Sequence, residues 1–99
     1  MLDKSVKSIA SVKQMFYVYV LQSELDRERF YLGSTVDLKK RLQSHNAGEN
    51  KATKGQQWKL VYYEAYISLD AARKREHKLK YHGKTKQALM HRIKASLAE

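Results

Sequence analysis

The chain has 99 residues, enough for one domain with a modest core and too few for two. Twenty Lys and Arg against ten Asp and Glu leave a formal net charge of +10, while 42% of the residues are hydrophobic. There are no cysteines, which excludes disulfides, thiolate zinc sites, iron–sulfur clusters and a cysteine nucleophile, and fits a reducing, cytoplasmic setting.

Such an excess of positive charge points to a polyanionic partner. No apolar run is long enough to span a bilayer, and no segment sets a basic face against a strongly apolar one. Nucleic acid is therefore expected rather than a membrane. Neutralising roughly six phosphates would make binding fall steeply with salt, each adding about 0.9 to the log–log slope.

Residues 1–14 (M-L-D-K-S-V-K-S-I-A-S-V-K-Q) read as a basic arm, and residues 15–99 as one domain. Tyr17 to Gly33 then sets two runs of aromatic and β-branched residues, Y-V-Y-V-L and F-Y-L-G, around the polar segment Q-S-E-L-D-R-E-R. This is the pattern of an antiparallel hairpin. Alternation puts Tyr17 and Tyr19 on one face, Val18 and Val20 on the other. A loop centred on Leu25 would set Tyr19 opposite Tyr31.

At Ser34-Thr35-Val36-Asp37 the period changes from two to 3.6. Ser34 or Thr35 is a candidate cap, with Asp37 in the first turn favourable to the helix dipole. Val36, Leu38 and Leu42 supply the expected buried stripe, Arg41 and His45 are neighbours one turn apart, and Gly48 stands where a C-terminal glycine belongs. The loop from Ala47 to Gln57 carries no phosphate-cradling pattern. Trp58 to Ile67 (W-K-L-V-Y-Y-E-A-Y-I) reads as a third strand, its apolar centre suggesting burial on both faces.

Asp70 is a candidate cap for a second helix, Ala71 to about Tyr81, with Ala72 and Leu79 facing the core. Thr85 can cap a third helix over Ala88 to Leu97, whose stripe is Leu89, Ile93 and Leu97. The element order is thus β-β-α-β-α-α: an α/β (α+β) domain with a small, mostly antiparallel three-stranded sheet flanked by helices.

Tyr17-Val18-Tyr19 and Tyr31-Leu32-Gly33 resemble the two signature triplets of the GIY-YIG nuclease family. D-L-K-K-R-L-Q-S-H-N (Asp37 to Asn46) resembles its first helix, with the arginine and histidine. A-A-R-K-R-E-H-K-L-K (Ala71 to Lys80) resembles the helix that carries its metal-binding glutamate. The likeness runs from about Met15 past Lys80 and is nearest the small stand-alone branch, similar to the nuclease domain of the bacterial excision-repair subunit. Departures from that pattern include Tyr17 in place of the first triplet's glycine, Leu32 in place of the second triplet's isoleucine, and Ser34 in place of a lysine of the excision-repair branch. A late asparagine used in some relatives is not evident after Gly83.

The resemblance implies a metal-dependent endonuclease that hydrolyses DNA phosphodiester bonds, in repair or processing of structured DNA. Its residues would be Tyr19 as base, Tyr31 positioning water or phosphate, Arg41 on the phosphate, His45 assisting, and Glu76 holding Mg2+ or Mn2+. The chemistry is reasonable. Magnesium is content with one or two carboxylates plus waters and a substrate phosphate, and an arginine fork matches phosphate geometry. A free phenol titrates near pH 10, so nearby positive charge would have to lower Tyr19.

On spacing alone Glu76 is an ordinary ion-pair partner for Lys80 or Arg73, and Arg41 a solvated helix residue. His77, His82 and His91 show no metal spacing and read as surface residues. Lys39, Lys40, Lys51, Lys54, Arg73 and Lys74 are candidate phosphate contacts, DNA being favoured over RNA. So small a domain would need a protein partner or a dimer for sequence choice, or would recognise shape. The alternative function is a nucleic-acid-binding module of the same fold with little cleavage.

Overall fold

The computed structural model describes residues 14–98, so the expected basic arm lies outside the described residues except for Gln14. Strand β1 (Phe16–Ser23) pairs antiparallel with β2 (Phe30–Thr35) on one side and with β3 (Trp58–Tyr66) on the other, in the order β2-β1-β3. Helix α1 (Leu38–Asn46) joins β2 to β3, and α2 (Leu69–Tyr81) and α3 (Gly83–Leu97) follow. The β-β-α-β-α-α order is the one expected.

Strand β1 is the axis of the molecule because it is buried on both faces. Val18 and Val20 point into a cluster with Ala72, Leu79, Leu89 and Ile93, which belongs to α2 and α3. Tyr19 and Leu21 point the other way, packing with Trp58, Leu38 and Leu42 under α1. The sheet therefore separates two small cores, each closed by helices whose apolar residues recur at helical spacing.

The structure corrects the expected hairpin register. Tyr19 pairs with Gly33, and Leu21 with Tyr31, so the hairpin centres on Asp26 rather than Leu25. The cause is the turn. Ser23 Oγ accepts the backbone N–H groups of Leu25 (3.1 Å) and Asp26 (3.0 Å), while the Asp26 carbonyl accepts Arg29 N–H (2.9 Å). A shift of two residues preserves the side-chain faces, so Tyr19 and Tyr31 remain diagonal neighbours, rings 6.4 Å apart.

Strand β3 is also corrected: it is an edge strand, with Leu60 and Tyr63 exposed. Its apolar run reflects alternation, not double burial: Tyr62 and Tyr66 are partly buried and donate their hydroxyls to Glu64, while Tyr63 is exposed on the other face.

The helix starts differ too. Ser34 and Thr35 stay in β2, and Asp37 itself caps α1, its carboxylate accepting Lys40 N–H at 3.0 Å. Val36 precedes the helix and is half exposed instead of joining the stripe. Ser68, not Asp70, caps α2 through Ala71 N–H at 3.1 Å, which leaves Asp70 in the first turn. Helix α3 begins at Gly83, earlier than Thr85 suggested, and Leu97 is partly exposed.

Gly48 behaves as expected. At φ 78° it ends α1, donating to His45 O (3.1 Å) while Glu49 donates to Ser44 O (3.1 Å). Among the described residues no helix is long and apolar enough to cross a membrane.

Candidate active site

The site forms where the edge of β2 meets α1 and α2. Gly33 is its geometric key. A Cβ built there would lie 2.6 Å from Tyr19 Oη and 2.8 Å from Tyr19 Cζ, so the Tyr19 ring lies across the bare glycine backbone. Any other residue would push the phenol away, and this close approach is the reason for glycine in the second triplet.

Held in that position, Tyr19 Oη lies 2.8 Å from His45 Nε2, and His45 Nδ1 lies 2.7 Å from Thr53 Oγ1. All three side chains are buried. The Thr53 hydroxyl has its own acceptor in Asn50 O at 3.4 Å. That assigns the tautomer: Nδ1–H donates to Thr53, and the Nε2 lone pair accepts the Tyr19 hydroxyl proton.

The loop that delivers Thr53 is pinned rather than loose. Trp58 Nε1 donates to Thr53 O (2.9 Å), and the Asn46 amide clamps the backbone of Trp58 through its N–H (2.7 Å) and carbonyl (3.0 Å). Sequence reasoning missed Thr53 and Asn46. Nothing in K-A-T-K-G distinguishes a threonine that locks a histidine from one that merely solvates a loop.

Electrostatics reinforce the geometry. Burial, then the positive charge of Arg41, holds His45 below the ordinary imidazole range, so it is neutral near pH 7. Burial also pushes the Tyr19 phenol well above its ordinary value, helped by Tyr31 and Glu76. Arg41 acts in the downward direction the sequence reading required, but burial outweighs it.

Tyr31 stacks obliquely on His45, ring centres 4.9 Å apart. Arg41 is exposed and has no ion-pair partner among the described residues. With Tyr17, Ser34 and Arg73 it lines a shallow cleft of about 240 Å³.

Glu76 approaches the same β2 edge from α2. Ser34 Oγ donates to its Oε1 at 2.6 Å, and Lys80 Nζ lies 2.9 Å from its Oε2. Burial raises this carboxyl, yet the bonds from Ser34 and Lys80, with the charges of Lys80 and Arg73, more than offset it and leave the group below the usual carboxylate range. Ser34 thus donates to the carboxylate from β2, and the cation comes from α2.

Residues 15–95 match the family model described as the GIY-YIG catalytic domain. The chain belongs to the GIY-YIG family. Similar proteins include a UPF0213 protein of Haloquadratum walsbyi, 38% identical over 73 residues, covering 72% of this chain and 80% of the relative. One from Syntrophus aciditrophicus is 43% identical over 67 residues, covering 65% and 75%. One from Streptococcus pyogenes is 45% identical over 60 residues, covering 57% and 61%.

GIY-YIG proteins form a nuclease family, which makes nucleic acid the substrate class. In this member Tyr19, Tyr31 and His45 lie together on the α1 face, Arg41 is one helical turn from His45, and Glu76 reaches β2 from α2 through Ser34. The remaining sequence candidates are exposed: Lys39, Lys40, Lys51, Lys54, Arg73 and Lys74. Only Arg73 among them shares the Tyr17–Arg41 cleft, while Lys40 flanks Arg41 on the outer side of α1 and Lys74 pairs with Asp70 at 3.1 Å. His77 packs its ring on Tyr81, ring centres 4.6 Å apart.

No group of three or more His, Cys, Asp or Glu is placed to hold a metal among the described residues. The donor set is instead one ionised, partly exposed carboxylate with hard oxygens, which suits Mg2+ or Mn2+ shared with water and a phosphate.

Proposed function

We propose that this chain is a metal-dependent endonuclease that hydrolyses DNA phosphodiester bonds, acting in the cytoplasm on structured DNA during repair or processing. The observation that carries the reading is the hydrogen-bonded relay Tyr19–His45–Thr53, with the Tyr19 ring laid across Gly33 and Arg41 one helical turn from His45.

The relay answers the difficulty of a tyrosine base. A buried phenol does not ionise by itself near neutral pH. It can, however, accept a proton from water at Oη while passing its own to His45 Nε2, so no free phenolate accumulates. His45 is suited to receive that proton because it is neutral and its other nitrogen is fixed by Thr53. Tyr31, packed on the imidazole, orients the water beside Tyr19. Arg41 offers its fork to the phosphate from the open cleft. Glu76 would hold the divalent ion, which when bound supplies charge neutralisation at the phosphorus centre and helps the leaving oxygen. Exposed lysines and Arg73 contribute non-specific affinity. A second copy or a protein partner supplies sequence choice.

A second reading, a binding module that has lost cleavage, is favoured by one feature: Lys80 already occupies one oxygen of Glu76. The two readings part in a nicking assay on supercoiled, branched and single-stranded DNA at low salt with Mg2+ or Mn2+. The endonuclease reading expects cleavage by the wild type, and losses of roughly a hundredfold or more in both Tyr19→Phe and Glu76→Ala, with DNA binding kept. Salt-dependent binding without cleavage by any of the three would establish the module. Equal cutting by all three would assign the chemistry elsewhere.

A further inference from the structure

The nuclease reading leaves unused the part of the α1 face that α1 does not cover. Register places Tyr17, Tyr19 and Tyr63 on one side of the sheet, since Tyr19 pairs with Tyr63 and Tyr17 with Ala65. Helix α1 packs Leu38 and Leu42 over the Tyr19–Leu21–Trp58 end. Beyond it Tyr17 and Tyr63 meet edge to face, ring centres 5.9 Å apart, and Tyr63 is 54% exposed. Two large rings with no helix above them among the described residues form an open shelf rather than a core.

The shelf adjoins the phosphate cleft, because Tyr17 is itself one wall of the cavity that Arg41, Ser34 and Arg73 line. Tyr17 lies two strand residues from Tyr19, roughly 7 Å along β1, which is within the span of one extended nucleotide. Cations at the rim of an aromatic surface, on a chain of net charge +10, match a base attached to a phosphate better than they match an apolar peptide.

We infer that the Tyr17–Tyr63 pair stacks an unpaired nucleobase of the strand whose phosphate enters the Arg41 cleft. The inference deepens the proposed function and rests on its nucleic-acid part. It makes the site selective for unpaired or splayed strands: a base held in a duplex presents no free face, whereas every unpaired base does, whatever its identity. Sequence tolerance with structure preference follows.

The test is a binding measurement without divalent metal, so that nothing is cut. Fluorescence anisotropy would compare a labelled oligothymidylate with an abasic oligomer of equal length, which carries the same phosphates and no bases. Stacking predicts about tenfold tighter binding of the thymidylate by the wild type. Tyr63→Leu should shrink that ratio toward one while leaving abasic binding unchanged, Tyr17→Leu should shrink it as well, and Tyr63→Phe should keep it.

Equal affinity for the two oligomers, or a preference that survives both leucine substitutions, overturns the inference. So does a wild-type dimer that the leucine variants convert to monomer with the preference intact, which would make the shelf a contact between copies. A thymidylate preference in a protein that cleaves nothing would sink the endonuclease reading and leave this one standing.

Discussion

Glu64 and Glu76 are both carboxylates that meet the α2 side of the sheet, both are held ionised, and they are built for opposite ends. Glu64, on β3, accepts the hydroxyls of Tyr62 and Tyr66 at 2.5 Å each and the fork of Arg75 at 2.9 Å through both Nε and Nη2. Burial raises its carboxyl, and those donors more than reverse the effect. In return Tyr66, partly buried and bonded to the carboxylate, is pushed up to about 12. Glu76 has a serine hydroxyl and a lysine, the latter a mobile point charge on a stem whose side chain is 40% exposed. A planar guanidinium in a two-pronged grip is not displaced by a cation in water. An exposed ammonium at one oxygen is.

The contrast predicts a crossed result. Glu64→Ala should leave Arg75 and two phenols without their acceptor, costing about 3–5 kcal/mol of stability. That corresponds to a Tm lowered by more than about 10 °C, with cleavage by the remaining folded fraction little changed. Glu76→Ala should do the reverse. Metal-dependent cleavage falls on the order of a thousandfold, while Tm moves by several degrees at most, because the partly exposed i,i+4 pair with Lys80 contributes about 0.3–0.5 kcal/mol and the hydrogen bond from Ser34 about 1 kcal/mol. Calorimetry and the nicking assay on the same two proteins check both halves. A Glu76 variant that loses as much stability as the Glu64 variant would make both carboxylates structural and erase the comparison.

Gly33→Ala sharpens it from the β2 side. The added methyl meets the end of the Tyr19 ring, which is itself buried between Tyr31 and His45 and has no room to swing aside freely. The expected strain is about 1–3 kcal/mol in Tm measurements. The Tyr19–His45 bond should be lost as well, and cleavage reduced roughly a hundredfold, as for removing a proton-transfer partner. Full activity in this variant would show that the phenol's position does not matter.

What could be read in advance follows from where the information sits. Element order, the side-chain faces of β1 and the Leu89–Ile93 stripe are local periodicities, and local periodicity survives folding. Arg41 and His45 share one helix, so their proximity needs only helical spacing. Thr53 was invisible because its role comes from a loop folded back by Asn46 and Trp58, contacts of 12 residues' separation that leave no local pattern. The hairpin register failed for a related reason: Ser23 chose the turn through two side-chain bonds that propensity does not encode. The double burial expected of β3 belongs to β1, since which of three apolar strands is central is settled only by pairing.

The smallest effects concern protons. His45 is neutral in the folded chain with its pKa held below the ordinary 6.5, through burial and then Arg41, while the unfolded chain titrates near 6.5. Between those two values the unfolded state binds more protons, so His45's contribution to stability is complete above about pH 6.5. It is lost as pH falls through the lower folded value. Cleavage by the relay needs the same neutral imidazole and should decline on the same acid side, not near pH 7. Thr53→Val separates the two consequences. It keeps the shape but removes the partner of His45 Nδ1–H, leaving a buried donor unsatisfied at a cost of about 1–3 kcal/mol. An imidazole freed from Thr53 can present Nε2–H to Tyr19 instead of the lone pair, so cleavage should drop about tenfold or more at every pH. His45→Gln should remove the acid limb altogether. A Thr53→Val protein with wild-type rate and an unchanged pH profile would mean that the threonine only packs, and that proton transfer from Tyr19 does not depend on which nitrogen of His45 carries the hydrogen.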